Sequence, residues 1–230
     1  MARRLFDVVL AGIALVLALP VLLVAAAGIR LSSPGPVLYR AVRVGRGGRP
    51  FVMYKLRTMH STPREAGSAI TARGDARVFP FGAWLRRFKL DELPQLFNVL
   101  RGEMAVVGPR PEDPKFVADC YTPRMRETLT VTPGLASPGS LYSTTHGDAW
   151  LSAEQPERDY VEKLLPLKLA LDLVYVRRAS LAYDLAVLGR TAGVLAARAL
   201  GRRRFPIPPE MDEARRLLAP AEAPRRSTPR

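Results

Sequence analysis

The chain has 230 residues, enough for one catalytic domain with appendages but not for two full domains. Its formal net charge of +14 requires an anionic partner, which leaves nucleic acid, acidic phospholipid or a phosphorylated small molecule. The single cysteine, Cys120, excludes an internal disulfide and a multi-cysteine zinc site, and two histidines are too few to favour a histidine-based centre. Any metal is therefore expected to use oxygen ligands, as Mg²⁺ does.

The first predicted element is an apolar membrane helix from Val8 to Ile29. Its roughly 22 residues are enough to span a hydrocarbon core. Arginines flank it on both sides, whereas the positive-inside rule places them on one side of a spanning helix. Pro20 lies near its middle, where it removes one backbone hydrogen bond and favours a kink. Two interpretations stay open: a spanning anchor that tolerates the proline, and a helix that bends and returns to the same face.

Two extended segments are predicted next, at Val37 to Tyr39 and at Pro50 to Met59. The loop between them, Arg43 to Arg49, is rich in glycine and arginine. Its backbone N–H groups can cradle a phosphate, and a basic hairpin turn can equally contact anionic headgroups, so both interpretations stay open. Residues 60 to 76 have no periodicity and predict a loop or lid.

Lys55 and Arg57 lie near the end of the second extended segment. In a strand they share one face, because side chains alternate between faces. Two neighbouring cations are costly without an anion, which makes both candidate phosphate ligands. Solvated charges at a strand end are the alternative.

A helix that mixes aromatic and basic residues is predicted from Phe79 to Lys89. Aromatic residues alternating with arginines also occur in nucleic-acid binders. Here the aromatic residues recur at helical spacing, which favours packing in the core or at a membrane interface.

The stretch from Lys89 to Glu112 combines an acidic pair with a rigid arginine turn. Asp91 and Glu92 open a short predicted helix, and a Gly-Pro-Arg-Pro turn presents Arg110. The apolar face predicted for the helix consists of Leu93, Leu96, Phe97 and Leu100. Capping and the helix dipole alone can explain acidic residues at a helix start. Cations on either side are expected to keep the carboxylates ionised, as a nucleophile or a Mg²⁺ ligand requires.

The last third of the chain predicts two helices and a tail. Glu154 to Tyr175 has a helical pattern with a bend at Pro166. Ser180 to Leu200 is apolar but carries charges, which suits an interfacial helix, and ordinary packing on the core is the alternative. Residues 206 to 230 are rich in proline, alanine and charge, and predict a disordered tail.

Three motifs of this chain, in this order, resemble the bacterial sugar transferases, which are small monotopic phosphoglycosyl transferases. The motifs are SPGPV at Ser33 to Val37, YKLRTM at Tyr54 to Met59, and LDELPQLFNVLRGEMAVVGPRPE at Leu90 to Glu112. The resemblance is strong over residues 3 to about 115, weakens from 116 to 150, and partly recovers from 160 to 204.

The resemblance implies transfer of a sugar 1-phosphate from a UDP-sugar to undecaprenyl (polyprenyl) phosphate, with release of UMP. Asp91 matches the family's nucleophile, which forms a covalent phosphosugar intermediate. Glu92 matches the Mg²⁺ ligand, and Lys55, Arg86 and Arg110 match basic positions around the phosphates. Such enzymes initiate the synthesis of exopolysaccharide, O-antigen or glycoprotein glycans.

The chain departs from the family pattern at three places. Ala41 replaces a common glutamine, and Leu19 replaces a frequent serine before Pro20, the position where the family's helix turns back. The segment Thr132 to Asp148 keeps Pro133 and Gly134 but lacks the usual tryptophan and glutamine. Because this segment is expected near the nucleotide-sugar site, the identity of the sugar is not predicted.

Together these features predict a membrane-associated α+β protein with a mostly helical core, a few short strands and interfacial amphipathic helices. Residues 1–30 are predicted as a re-entrant membrane helix, 31–205 as the catalytic domain and 206–230 as the tail. We expect the inner membrane, with the catalytic domain on its cytoplasmic face, and UDP-sugar, polyprenyl phosphate and membrane lipids as partners. A homodimer is left open. The alternatives are a non-catalytic membrane scaffold and, less compatible with the apolar N-terminus, a nucleic-acid binder.

Overall fold

The computed structural model describes residues 2–60, 70–71, 74–152 and 154–218. It combines helices with two small sheets, as the predicted mixed α+β class requires. Most of the predicted loop or lid at 60–76 and the end of the predicted tail at 219–230 lie outside the described residues.

The N-terminal helix α1 (Ala2–Ser32) is longer than predicted and continues through Pro20, so the predicted break does not interrupt it. By length and composition it can cross a membrane. One stripe of it is buried, at Ala11, Ala18, Ala25 and Ile29, since a spacing of seven residues returns to the same side of a helix. Large apolar residues fill the opposite, exposed face: Leu5, Val9, Ile13, Val16, Leu17, Leu19, Leu23 and Val24.

Both ends of α1 are attached to the same folded body. Near its start, Arg3 donates to Asp184, with Nε 2.7 Å from Oδ2. After its end, the buried Ser33 accepts a hydrogen bond from Arg57 at 2.8 Å. The helix therefore lies along the core instead of projecting from it.

A β-hairpin follows, formed by β1 (Leu38–Val44) and β2 (Pro50–Leu56). The strands are antiparallel, with Leu38 opposite Leu56 and Val44 opposite Pro50. The glycine-rich basic loop is a tight hairpin turn, in which the Gly45 N–H donates to Arg49 O and the Gly48 N–H to Gly45 O. These two amides are used within the turn, which favours the hairpin interpretation over a phosphate cradle.

The central elements are α2 (Pro80–Arg87), α3 (Gln95–Arg101) and two short parallel strands, β3 (Ala105–Val107) and β4 (Gly134–Ala136). Gly102 ends α3 in the left-handed region with φ 83°, the cap predicted there. The helices α4 (Pro114–Cys120), α5 (Pro123–Arg126), α6 (Pro138–His146) and α7 (Pro156–Asp159) follow.

The core is centred on α8 (Leu165–Arg178), in which nine residues are buried. A π-helical segment, Tyr160–Leu164, leads into it, and Pro166 lies in the first turn of α8, directly after that segment. The irregularity in this helix, which was predicted as a bend at Pro166, is therefore the π-helical segment that precedes the proline.

The last two helices are α9 (Leu181–Ala199) and α10 (Met211–Leu218). The prediction of disorder from residue 206 is wrong for α10, which packs on α8 and buries Met211 and Ala214. Glu210, just before it, holds Arg190 of α9 with two hydrogen bonds of 2.6 and 2.8 Å. The segment has too few apolar residues for periodicity to reveal it, because two buried apolar side chains and two ion pairs, Arg190–Glu210 and Arg178–Glu213, fix it.

Candidate active site

A tight turn between α2 and α3 places the two adjacent carboxylates. Lys89 follows α2 with φ 58° and is the one non-glycine residue with positive φ in the described part of the chain. Residues Leu90–Glu92 then form a single 3₁₀ turn before α3. The acidic pair therefore precedes α3, although it was predicted to open that helix, and its orientation depends on a backbone conformation that lysine rarely adopts.

Three of the four residues predicted for the apolar face pack in the core. Leu96 is buried beside Val99, and Leu93 and Leu100 pack partly against them. Phe97, which was also predicted on the packed face, is 49% exposed. It lies about 100° from Leu96 around α3, which places it at the edge of the buried face.

Glu92 lies at the centre of a group of cations. Arg110 binds it with both terminal nitrogens, Nη2 at 2.6 Å from Oε1 and Nη1 at 3.0 Å from Oε2. The Nζ atoms of Lys89 and Lys55 lie 3.5 and 3.7 Å from Oε1. Burial alone raises the pKa of Glu92, but the charges of Arg110, Lys89 and Lys55 outweigh it and hold that pKa well below its usual value.

Asp91 is buried, and its Oδ1 has no hydrogen-bond partner among the described residues. Burial and the neighbouring Glu92 charge raise the pKa of Asp91, while Lys55, Lys89 and Arg86 oppose that rise. The surrounding cations offset only part of this rise, because burial has the larger effect. A buried carboxylate oxygen without a partner is costly unless a ligand completes it.

Lys55 and Arg86 complete the group of cations, as predicted from sequence. Burial lowers the pKa of Lys55 to about 8, with Arg110 also lowering it and Glu92 opposing. Arg86 Nε donates to Thr58 Oγ1 at 2.7 Å, and the charge of Arg86 acts on Asp91. A Cβ on Gly82 would lie 2.2 Å from Thr58 O, so only glycine lets α2 approach closely enough for this contact.

The structure places Arg57 and Pro20 away from the carboxylates. The buried Arg57 guanidinium donates to Ser33 O at 2.7 Å, to Ser33 Oγ and to Pro36 O, and so holds the turn after α1. Its expected position beside Lys55 is wrong because β2 ends at Leu56 and the two-residue alternation ends with it. Pro20 lies inside α1.

A buried polar group lies behind the loop of Arg110. Asp172 of α8 accepts a hydrogen bond of 2.8 Å from the backbone N–H of Gly139, and the backbone N–H of Arg110 is close enough to lower the pKa of Asp172. Burial raises the pKa of Asp172 to about 6, although Lys168 opposes it. Lys168 Nζ also lies 2.6 Å from Glu112, which follows the arginine turn. The only signals in the sequence were single charged residues inside the apolar pattern of α8.

The acidic pair fits Mg²⁺ only in the presence of a phosphorylated ligand. The described residues contain no group of three or more His, Cys, Asp or Glu side chains placed to hold a metal. Mg²⁺ commonly takes one or two carboxylates and completes its shell with phosphate oxygens and water. The unpartnered Asp91 oxygen and the Glu92 lone pairs that Arg110 leaves free suit that arrangement.

Comparison with known proteins places these residues in a family. The family model described as "Bacterial sugar transferase" matches residues 1–198. The UDP-glucose:undecaprenyl-phosphate glucose-1-phosphate transferase of Caulobacter vibrioides is 41% identical over 192 residues, which cover 82% of this chain and 67% of that protein. The enzyme of the same name from Xanthomonas campestris is 37% identical over 207 residues, covering 88% of this chain.

A third relative acts on a different sugar. The UDP-N-acetylgalactosamine-undecaprenyl-phosphate N-acetylgalactosaminephosphotransferase of Aeromonas hydrophila is 35% identical over 191 residues. The chain spans only 39% and 42% of the Xanthomonas and Aeromonas proteins. The family match includes the acidic pair and every cation around it, and we conclude that this chain belongs to the bacterial sugar transferase family.

Proposed function

We propose that this protein transfers a sugar 1-phosphate from a UDP-sugar to undecaprenyl phosphate and releases UMP. The activities for which the relatives from Caulobacter and Aeromonas are named support this reaction. The observation that carries the proposal is the unpartnered Oδ1 of Asp91, held beside Glu92 and among four cations. A related exopolysaccharide production protein supports a role in the production of such a polymer.

Asp91 acts as the nucleophile in two balanced steps. Its carboxylate oxygen forms a bond to the β-phosphorus of the UDP-sugar, and the bond from that phosphorus to the bridging oxygen breaks, so that UMP leaves with the electron pair. An oxygen of undecaprenyl phosphate then attacks the same phosphorus, and Asp91 leaves as a carboxylate. Neither step needs a proton donor when both phosphates are ionised.

The cations stabilise negative charge on the transferring phosphoryl group. Lys55, Lys89, Arg86 and Arg110 lie around the pair, and such fixed charges need no rearrangement during the reaction. Arg110 is itself fixed by its double contact with Glu92. Glu92 thus holds the cations in place even before a substrate binds.

We include Mg²⁺ in this proposal, held by Glu92 and the diphosphate, where it supplies charge neutralisation. EDTA is expected to stop UMP release, and added Mg²⁺ is expected to restore it. Full activity in EDTA, in protein freed of divalent ions, would exclude the metal from the reaction.

The same proposal places α1 in the cytoplasmic leaflet of the inner membrane, with both its ends on the side of the catalytic core. The exposed apolar face of α1 and the attachment of both ends support this placement. A homodimer stays a prediction.

The test is UMP release by the purified full chain, given a panel of UDP-sugars, undecaprenyl phosphate and Mg²⁺. Asp91→Asn is expected to abolish UMP release, because an amide cannot displace UMP. With a UDP-sugar labelled in the sugar and no lipid, the wild-type protein should become labelled and Asp91→Asn should not. Asp119→Asn, which changes an exposed aspartate of α4, is the matched control and should stay active.

Normal activity in Asp91→Asn would rule out the nucleophile. Absence of UMP with every UDP-sugar would favour the non-catalytic membrane scaffold instead.

A further inference from the structure

An apolar cavity of about 230 Å³ adjoins the acidic pair and extends beneath α9. Lys89, Glu92 and Arg110 line one end of it. Its apolar walls come from α3, β4, α6 and α9, and include Leu93, Leu135, Leu141, Leu188, Val194 and Leu195. A ligand that fills it therefore carries an anionic group at one end and hydrocarbon directly behind that group.

The hydroxyl groups in the wall are mostly unavailable to a ligand. The Ser140 hydroxyl donates to Ser137 O at 3.0 Å and accepts from the Ser137 N–H at 2.8 Å. The Thr191 hydroxyl donates to Val187 O at 2.8 Å. A base or a sugar would lose hydrogen bonds to water here without replacing them, whereas hydrocarbon loses none.

The helix α9, beneath which the cavity lies, has an apolar outer face. Every exposed residue of α9 is alanine, glycine or leucine: Leu181, Ala182, Leu185, Ala186, Gly189, Ala192, Gly193, Ala196 and Ala199. Only Asp184 and Val187 of this helix are buried, and its second half, which covers the cavity, is attached to α6 by Arg198, which donates to Thr144 O. The two arginines of α9, Arg190 and Arg198, are partly buried and bonded to Glu210 and to Thr144 O, so the face that α9 offers to hydrocarbon from a bilayer is apolar.

We propose that this cavity binds the hydrocarbon nearest the phosphate of the polyprenyl phosphate acceptor. The proposal rests on the function proposed above and adds where the lipid lies. In a polyprenyl phosphate, plain hydrocarbon follows the phosphate at once. A phosphatidic acid carries a glycerol with two ester groups at that point, and these would face the same apolar wall.

The experiment uses a polyprenyl phosphate that carries a diazirine on its first isoprene unit, with the full chain in detergent micelles. Illumination is expected to label peptides of α6 and α9, near Leu141 and Val194. Unlabelled polyprenyl phosphate should compete, and phosphatidic acid at the same concentration should not.

Two variants of α9 form a matched pair, because each adds a phenylalanine to the same helix. Val194→Phe fills the cavity and is expected to lower labelling about tenfold, the effect of overfilling an apolar site, and to raise the KM for the lipid but not for the UDP-sugar. Ala192→Phe lies on the exposed face and should match the wild type.

Labelling in α1 or at the second apolar cavity, which Leu22 and Phe97 line, would overturn the proposal. Equal labelling of both variants, or competition by phosphatidic acid, would also overturn it. A protein that is labelled beneath α9 but releases no UMP keeps the lipid site and loses the proposed function. A protein that releases UMP but is labelled elsewhere keeps the function and loses the site.

Discussion

The adjacent carboxyl groups of Asp91 and Glu92 have pKa values that their surroundings shift in opposite directions. Glu92 is bound by Arg110 at both oxygens, so its charge is compensated and its pKa is lowered. Asp91 next to it is buried with one oxygen unpartnered, and its pKa is raised. Glu92 thus organises the cations while Asp91 has a free oxygen, which is the arrangement that the proposed covalent phosphoryl transfer needs.

Lys55 gives the reaction a testable pH dependence. The pKa of its ammonium is lowered to about 8, so the free protein carries this charge below that pH and loses it above. We expect kcat/KM for the UDP-sugar, measured as UMP release, to fall above a pH of about 8. Lys55→Arg should remove this fall, because guanidinium stays charged, and Lys55→Met should lower kcat/KM by about 10²-fold.

Lys115→Arg is the control for this pH profile, since Lys115 is exposed on α4 and paired with Glu157. An alkaline limb that persists unchanged in Lys55→Arg would assign it to another group.

The sequence revealed the part of the site that follows from short-range patterns. Asp91, Glu92 and Arg110 lie within one stretch, and their grouping was predicted from it. Arg57 was misplaced because the end of a strand is not visible in an alternating pattern. Asp172 was missed because its role depends on the close approach of two loops distant in sequence, which no local pattern encodes.

Among the elements, α2 packs closely against the segment after β2 because residue 82 is a glycine. A methyl group on Gly82 would lie 2.2 Å from Thr58 O, and backbone atoms cannot move aside cheaply. We expect Gly82→Ala to lower the free energy of unfolding by about 1–3 kcal/mol, as overpacking does, and to reduce activity by moving Arg86. Thermal unfolding in detergent and UMP release measure the two effects.

Gly189→Ala in α9 is the matched control, because a Cβ there meets nothing within 4 Å. Helix propensity alone should then stabilise the protein by about 1 kcal/mol or less. If Gly82→Ala behaved like Gly189→Ala, the close contact between α2 and Thr58 would not matter.

Helices with long periodic patterns were predicted well, and short docked ones were not. The helices at α8 and α9 were expected from recurring apolar residues, and both are present. α10 was not expected, because it is short, half of its residues are charged, and it is held by contacts with α8 and by Glu210 beside it. Tertiary contacts therefore decide its structure, and propensity does not.

For the molecule as a whole, the position of α1 determines how the protein meets a membrane. Its 31 residues extend about 46 Å at 1.5 Å per residue, more than a hydrocarbon core requires. Yet Arg3 at one end is paired with Asp184, and Ser33 after the other end binds Arg57. A spanning orientation would pull one of these ends away from the core and expose Ala11 or Ile29, both fully buried.

We therefore predict that both ends of α1 lie on the same side of the membrane. In a Cys120→Ser background, single cysteines at Ala2 and Leu31, both exposed, are expected to react with a membrane-impermeant maleimide in inverted vesicles and not in right-side-out ones. A cysteine at Val16, on the exposed apolar face, should be protected by lipid in both. Reaction of Ala2→Cys and Leu31→Cys from opposite sides would establish a spanning anchor, and the pairing of Arg3 with Asp184 would then have to break in the membrane.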